Sequence, residues 1–356
     1  MLTSKIVTYL DKERYHIVQN SRDIIWISTY GNGLFAYNWA TDELQHFMAD
    51  VNGFSHIGSN YLQYVMEDKA GGIWVSSEYA GVSRLSVLNR GAVRIFPENE
   101  KASDRSNVVR MLTKMSNGDV WVGTRQGGLY VYDKNLKLKE EKKYYPSNIY
   151  AAIEDAEGNV WYGSRGRGLL IKEKWYTYDA SDTTSLGDNN IFVMHRDRKD
   201  RMWVGTFGGG LNLAERRGDG YVFRRFLDEN YSLRRIRSIL EDKNGWMWVG
   251  TSDGVCVFHP DSLIADADNY VNYNYKSGTL KSSEIKCIYQ DREGRIWIGT
   301  TGSGFAVCTL DGDYANITFK HFDTKDGLVN NMVQSIIEDE TGKLWIATEY
   351  GISCFD

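Results

Sequence analysis

The chain repeats one pattern of five positions eight times: an apolar residue, a tryptophan, a second apolar residue, a small residue, and a serine or threonine. Alternating apolar positions of this kind are typical of a β-strand. Consecutive tryptophans lie 40 to 49 residues apart, a period that is too long for a two-helix repeat and fits a four-stranded propeller blade. The eight tryptophans are Trp26, Trp74, Trp121, Trp161, Trp203, Trp248, Trp297 and Trp345.

The repeats also carry the signals of further strands. A strand pattern precedes the tryptophan and ends in a turn, in which aspartate recurs six residues before the tryptophan and glycine three residues before it. Aspartate accepts hydrogen bonds from nearby backbone amides and glycine tolerates positive φ, so this turn predicts a hairpin. A glycine followed by an apolar residue begins a third strand, and a more variable fourth strand follows. We expect the indole to pack between neighbouring blades, and the small residue to let backbones approach closely.

The two ends of the chain predict how the array closes. The eighth repeat ends at Phe355–Asp356 after its third strand, whereas residues 4–10 have the pattern of a fourth strand. We therefore predict one all-β domain over residues 1–356: a single β-propeller of eight four-stranded antiparallel blades, closed by residues 4–10 as the outer strand of the last blade. Seven blades plus one displaced unit is the alternative.

Composition narrows the possible partners. A net charge of −5 and a pI near 5.8 give no general electrostatic reason to bind nucleic acid. No apolar run approaches the roughly 20 residues that span a bilayer, and the first ten residues lack the apolar core of a signal peptide, so no direct membrane insertion is expected. The four cysteines lie in strand patterns and predict buried free thiols, with a disulfide or a reactive thiol as the alternative.

Two of the repeats carry a longer motif. Residues 337–348 read Ile-Glu-Asp, two residues, Gly, one residue, then Leu-Trp-Ile-Ala-Thr, and residues 240–251 follow the same plan. The segment 326–333, which begins Asp-Gly-Leu, links two blades. These motifs resemble the two-component regulator propeller repeat, and the resemblance covers nearly the whole chain.

The resemblance implies a sensory function. Such propellers form the extracytoplasmic sensor region of hybrid histidine kinases in Bacteroidetes-type bacteria, and commonly respond to oligosaccharides. It therefore implies a periplasmic, non-enzymatic propeller whose partners are an oligosaccharide and either the remaining receptor domains or a second sensor protomer. Sensors of this family usually carry two seven-bladed propellers, whereas this chain has eight repeats.

A ligand site is expected on the face with variable loops. If the first strand is innermost, the turn between strands two and three shares a face with the link to the next blade, and these loops differ between blades. Guanidinium groups suit the carboxylate or sulfate of a uronic or sulfated oligosaccharide, and aromatic rings suit sugar C–H groups. The alternative is that the arginines are solvated or paired with carboxylates such as Glu78 and Glu349. The predicted ligand-binding residues are Arg110, Arg125, Arg165, Arg167, Tyr30, Tyr79, Phe207 and Tyr350.

Catalytic and metal chemistry have little support. The six histidines show no HxH or HExxH spacing, and the loop around Asp266 and Asp268 lacks the glycine and distal glutamate of a calcium loop. We expect no cofactor, no metal and no catalytic residues. Two alternative functions stay open: a scaffold that binds another protein, and a propeller polysaccharide lyase.

Overall fold

The computed structural model describes residues 15–49, 57–68, 71–86, 97, 108–125, 128–133, 137–142 and 148–355. In this part of the chain each tryptophan motif forms the second strand of its own antiparallel sheet, so the eight predicted blades are present. Six sheets have four strands, and those of blades 2 and 8 have three within the described residues. The predicted closing strand, residues 4–10, lies outside these residues, so closure stays a prediction.

The chain divides into two compact units, residues 1–94 and 95–356. The single domain over residues 1–356 that the repeats predict stays a prediction. Unit 1 contains the first two blades. Blade 1 comprises β1 (Tyr15–Gln19), β2 (Ile24–Thr29), β3 (Leu34–Asn38) and β4 (Glu43–Phe47), and blade 2 comprises β5 (Leu62–Glu67), β6 (Gly72–Ser77) and β7 (Val82–Ser86).

Unit 2 contains the other six blades. Blades 3 and 4 comprise β8 (Val109–Lys114), β9 (Val120–Thr124), β10 (Leu129–Tyr132), β11 (Leu138–Lys142), then β12 (Ile149–Glu154), β13 (Val160–Ser164), β14 (Leu169–Ile171) and β15 (Lys174–Tyr176). Blades 5 and 6 comprise β16 (Ile191–Arg196), β17 (Met202–Thr206), β18 (Leu211–Arg217), β19 (Gly220–Phe226), then β20 (Ser238–Glu241), β21 (Met247–Thr251), β22 (Gly254–Phe258) and β23 (Val271–Tyr273). Blades 7 and 8 comprise β24 (Ile285–Gln290), β25 (Ile296–Thr300), β26 (Phe305–Cys308), β27 (Lys320–Phe322), then β28 (Val333–Glu338), β29 (Leu344–Thr348) and β30 (Gly351–Phe355).

The link between β22 and β23 holds a short helix, α1 (Pro260–Ala265), which begins at a proline. Proline suits this position because the first helical N–H has no partner within the helix. This helix has six residues, and within the described ranges no helix is long and apolar enough to cross a membrane.

The turn aspartate ties the hairpin to the indole as well as to the backbone. In blade 5, Asp197 Oδ1 accepts from the Arg201 backbone N–H at 3.0 Å, and Oδ2 accepts from Trp203 Nε1 at 2.9 Å. The sequence analysis predicted the hydrogen bonds from the backbone to the aspartate, but not the one from the indole. The same bond joins Asp68 to Trp74, Asp155 to Trp161, Asp242 to Trp248, Asp291 to Trp297 and Asp339 to Trp345.

The small residue after each tryptophan makes room for the next blade. A Cβ on Gly205 would lie 2.6 Å from Val193 Cγ1 in the same blade and 2.7 Å from Ile236 Cγ2 at the start of blade 6. The sequence predicted close approach of backbones, but at this glycine the approaching atoms belong to apolar side chains. Within unit 2 the first strands of consecutive blades contact one another, as the innermost strands of a propeller do.

The apolar core lies between consecutive blades. Trp203 is fully buried and packs with Phe226 and Phe258, so its indole lies between blades 5 and 6 as expected. Trp345 in blade 8, by contrast, is 43% exposed. All four cysteines are free thiols, as predicted. Cys256 and Cys308 are buried and Cys287 is partly buried, but the predicted burial is wrong for Cys354 on β30, which is exposed.

Candidate functional site

The two variable loop sets share one face, as predicted. The carbonyl of Asn189, in the link from blade 4 to blade 5, accepts from the N–H groups of Gly166 and Gly168, in the turn between β13 and β14. The carbonyl of Asn331 holds the turn at Gly302 in blade 7 in the same way. Each link therefore fixes the position of the preceding turn, and both present their side chains on this loop face.

A β-bulge at the start of the first strand adds one variable residue to this face. In blade 4 the pairing skips Tyr150 between Ile149 and Ala151, and in blade 5 it skips Phe192. Such bulges redirect a side chain away from the regular alternation. Arg237 holds the corresponding place in blade 6, where its N–H donates to the Gly250 carbonyl. The bulge residues of blades 2, 3, 7 and 8 are Gln63, Arg110, Lys286 and Gln334.

Aromatic side chains form a continuous row from blade 4 to blade 5. The rings of Tyr150 and Phe192 have centroids 5.3 Å apart, and Phe192 stacks on Phe207 at 4.9 Å. At the blade 4 end, Arg165 Nη1 lies 3.5 Å from the Tyr150 hydroxyl. The row thus brings together two predicted site residues, Arg165 and Phe207, through two aromatic residues that the sequence analysis missed.

The other end of the row is basic. The guanidinium carbons of Arg235 and Arg237 lie 5.0 and 4.9 Å from the centroid of Phe207, a distance typical of cation–π contacts. Arg235 also donates to the Tyr231 hydroxyl, and Arg237 Nη2 pairs with Glu284 Oε1 of the next link at 2.8 Å. We call this group of side chains the aromatic–basic row; its members are Arg165, Tyr150, Phe192, Phe207, Tyr231, Arg235, Arg237 and Glu284.

A buried amide positions the Phe207 turn. Asn212 on β18 is fully buried; its amide nitrogen donates to the carbonyls of Gly209 and Gly210, and its Oδ1 accepts from the Gly187 N–H of the preceding link. The backbones of Gly187 and Gly209 approach so closely that a Cβ on either would clash with the other. Turn and link are therefore locked together, and Phe207 is held rigidly.

The other predicted residues of unit 2 do not join the row by any direct contact that the structure shows. Arg110 and Arg125 are exposed on blade 3, and the Arg125 backbone N–H donates to the Val108 carbonyl. Arg167 lies over the ring of Trp175 on the fourth strand, at 5.0 Å, whereas Arg165 lies beside the first strand. Tyr350 is 78% exposed in the turn of blade 8.

The predicted aromatic residues of unit 1 lie together around a third tyrosine. Tyr61 packs edge-on against Tyr30 at 5.3 Å and against Tyr79 at 6.0 Å. The Tyr30 hydroxyl donates to Glu78, and this hydrogen bond to a carboxylate raises the pKa of Tyr30. Glu78 thus binds a tyrosine of its own unit.

The described residues offer no metal centre. No group of three or more histidine, cysteine, aspartate or glutamate side chains in this part of the chain could hold a metal ion. Asp266 Oδ1 accepts from the Asp268 N–H at 3.1 Å, which is the geometry of a local turn.

Known proteins match the chain in sequence. Four segments of unit 2, residues 185–208, 230–253, 279–302 and 327–350, match the model of the two-component regulator propeller. A curated relative, histidine kinase P4 of Formosa agariphila, is 26% identical over 282 residues, which cover 72% of this chain and 20% of that protein.

Solved structures show the same fold. The extracellular domain assigned to a hybrid two-component system of B. thetaiotaomicron matches with a TM-score of 0.63 at 23% identity, over 96% of this chain and 45% of that one. PorZ, a surface component of the type-IX secretion system of Porphyromonas gingivalis, matches with a TM-score of 0.57 at 15% identity, over 95% of this chain and 52% of that one. Virginiamycin B lyase of Staphylococcus aureus matches with a TM-score of 0.51 at 12% identity, over 97% of this chain and 94% of that one.

The chain spans a fifth of the length of histidine kinase P4 and less than half of the B. thetaiotaomicron domain. The repeats, the turn aspartates bound to the indoles and these matches agree with one another. The chain has a β-propeller fold, and four of its eight repeats match the two-component regulator propeller model.

Proposed function

We propose that this propeller is the ligand-sensing part of a two-component signalling receptor, and that it binds an oligosaccharide, uronic or sulfated, on the loop face. The observation that carries the proposal is the aromatic–basic row, in which aromatic rings stand between guanidinium groups on the face with variable loops. Rings offer flat apolar surfaces to sugar C–H groups, and guanidinium groups bind carboxylate or sulfate in a bidentate manner.

The predicted arginines of blades 3 and 4 are the proposed contacts for further acidic groups of the same oligosaccharide. Arg165 lies at the end of the row, and Arg110 occupies the bulge position that Tyr150 occupies in the next blade. Arg125 and Arg167 extend this basic sector outward. In unit 1, Tyr30 and Tyr79 offer a second aromatic surface.

The receptor context rests on the relatives. Because the matched kinase and the matched extracellular domain are both longer than this chain, we propose that the remaining receptor domains or a second sensor protomer are its protein partners, and that it works in the periplasm. A bound ligand can transmit a signal only if its affinity differs between two conformations of the receptor. The propeller itself is proposed to be non-catalytic.

Thermal unfolding with a panel of neutral, uronic and sulfated oligosaccharides tests the binding function. A ligand at 100 times its dissociation constant should add about 2.7 kcal/mol to the free energy of unfolding. Intact glycan recovered after a selective shift supports a sensor. Cleaved glycan supports the lyase, and no shift with any glycan supports the protein scaffold.

Variants locate the site. We expect Tyr150→Ala to weaken binding of the glycan selected by the panel about tenfold, because a ring that stacks on a sugar is lost. Trp39→Ala is the matched control, since Trp39 is an exposed aromatic residue in the turn between β3 and β4, away from the loop face. If alanine at Arg125 and Arg165 leaves the affinity for an acidic glycan unchanged, the blade 3–4 sector is not part of the site.

A further inference from the structure

Two arginines of the row have hydrogen-bonding capacity that the protein leaves unused. Arg235 and Arg237 stand on either side of the buried Ile236 where the chain enters blade 6, and both guanidinium groups contact the same ring, Phe207. The Nε atoms of both are buried and have no hydrogen-bond partner among the described residues. A buried donor without an acceptor is costly. Both side chains are only partly buried, so an acceptor from outside the chain can approach the two guanidinium groups.

The charges around the pair leave it positive. Lys286 Nζ lies 4.0 Å from Glu284 Oε1, the same oxygen that binds Arg237. The second carboxylate beside the Phe207 turn is Asp188, whose Oδ1 accepts from the backbone and side-chain N–H groups of Asn190. Three cations thus face two carboxylates, one of which is bound within its own loop, and two guanidinium groups on one ring repel each other.

We propose that Arg235 and Arg237 form a seat for one oxyanion, a carboxylate or a sulfate, with Phe207 as its floor. The proposal rests on the proposed function and deepens it, since it names the charged group and the residues that bind it. The oxyanion accepts from the accessible guanidinium N–H groups of both arginines, which relieves the repulsion between them. Glu284 competes with this oxyanion for Arg237, so it sets the affinity of the seat.

Isothermal titration of the full chain with digalacturonate tests the seat, and α-1,4-galactobiose, which has the same linkage but no carboxylates, serves as the neutral probe. Sulfate is the bare-anion probe, measured as thermal stabilisation relative to chloride at equal ionic strength. We expect Arg235→Gln to weaken binding of digalacturonate and of sulfate at least about tenfold. Glu284→Gln should act in the opposite direction and strengthen both, because the competing charge is removed while the shape is kept.

Arg224→Gln is the matched control. Arg224 also lies over a phenylalanine ring, Phe226, at 4.9 Å, but it is exposed on the fourth strand of blade 5. This variant should leave both affinities unchanged. Urea unfolding of each variant confirms that its fold is intact before the affinities are compared.

The outcomes separate the seat from the proposed function. If sulfate does not stabilise the wild-type protein, or stabilises Arg235→Gln and Glu284→Gln equally well, the seat is refuted. If sulfate binds through Arg235 but no glycan of the panel binds, the seat stands and the oligosaccharide function fails. If a glycan binds with an affinity that does not depend on Arg235, the function stands and the seat is wrong.

Discussion

Removing the turn aspartate of blade 5 should be among the most destabilising single changes in the chain. Asp197 is buried and accepts four hydrogen bonds: from the backbone N–H groups of Lys199 and Arg201, from Arg201 Nε at 2.6 Å, and from Trp203 Nε1. In Asp197→Ala the indole N–H, which lies in a fully buried side chain, loses its acceptor, and water cannot replace it. A buried unpaired donor costs about 1 to 3 kcal/mol.

The two backbone donors and Arg201 add to this cost, although Arg201 keeps its second partner, Asp261, at 2.6 Å. We therefore expect Asp197→Ala to lower the free energy of unfolding by about 3 to 5 kcal/mol. Urea unfolding at neutral pH, followed by tryptophan fluorescence and circular dichroism, measures this loss as a lower midpoint.

Blade 8 supplies the control for this experiment. Asp339 makes the same bonds, to the Lys343 backbone N–H and to Trp345 Nε1, but Trp345 is 43% exposed and Asp339 lies at the surface. Water can satisfy these donors in Asp339→Ala, so the loss should be clearly smaller than in Asp197→Ala. Equal losses in the two variants would show that burial of the indole N–H is not the cause, and a negligible loss in Asp197→Ala would refute the reasoning altogether.

Three further predictions concern stability. Burial acts to raise the pKa of the turn aspartates Asp155, Asp197 and Asp291, but hydrogen bonds from the indole and from backbone N–H groups outweigh it and leave each pKa below its ordinary value. The contribution of these carboxylates to stability is therefore full above about pH 5 and is lost on acidification below about pH 4. Urea unfolding at several pH values should show this loss as a falling midpoint. Gly205→Ala should lower the melting temperature, because the new Cβ meets Val193 and Ile236; an unchanged melt would show that the neighbouring blade yields without cost. Deletion of residues 1–10 should lower the melting temperature sharply if they complete the last blade, and an unchanged melt rejects the closure.

The repeat was predictable because its determinants are local. Most of these hairpins have an aspartate and a glycine in the six residues before the tryptophan, and all eight have the tryptophan motif, so counting the motifs yields the number of sheets. The bond from Asp197 to the Trp203 indole could not be read in the same way, because it requires the ring to turn toward the hairpin. Whether residues 4–10 close the array depends on a contact across the length of the chain.

The site was only partly predictable, since it depends on where side chains point. Arg165 and Arg167 stand two residues apart in one turn, yet one lies beside the first strand and the other over Trp175 on the fourth. The strand pattern does not distinguish Tyr150 and Phe192 from their neighbours, and only the bulge brings them to the loop face. A signal was present in the sequence: the residue after the apolar position that opens each first strand varies strongly from blade to blade.

The two faces of the blades differ in how much their residues vary. On the face of the aspartate turns, the acidic residue just before the aspartate binds the turn of the preceding blade: Glu241 Oε2 accepts from the Arg198 N–H at 3.0 Å, and Glu338 Oε2 accepts from the Arg292 N–H at 2.8 Å. These ties recur at fixed positions and hold the first strands in register with one another. The bulge residues stand at the opposite ends of the same first strands. Residues as different as Phe192 and Arg237 therefore occupy equivalent positions on strands that are held in the same way. The proposed site thus combines variable bulge residues with a fixed scaffold, an arrangement that favours preorganised binding.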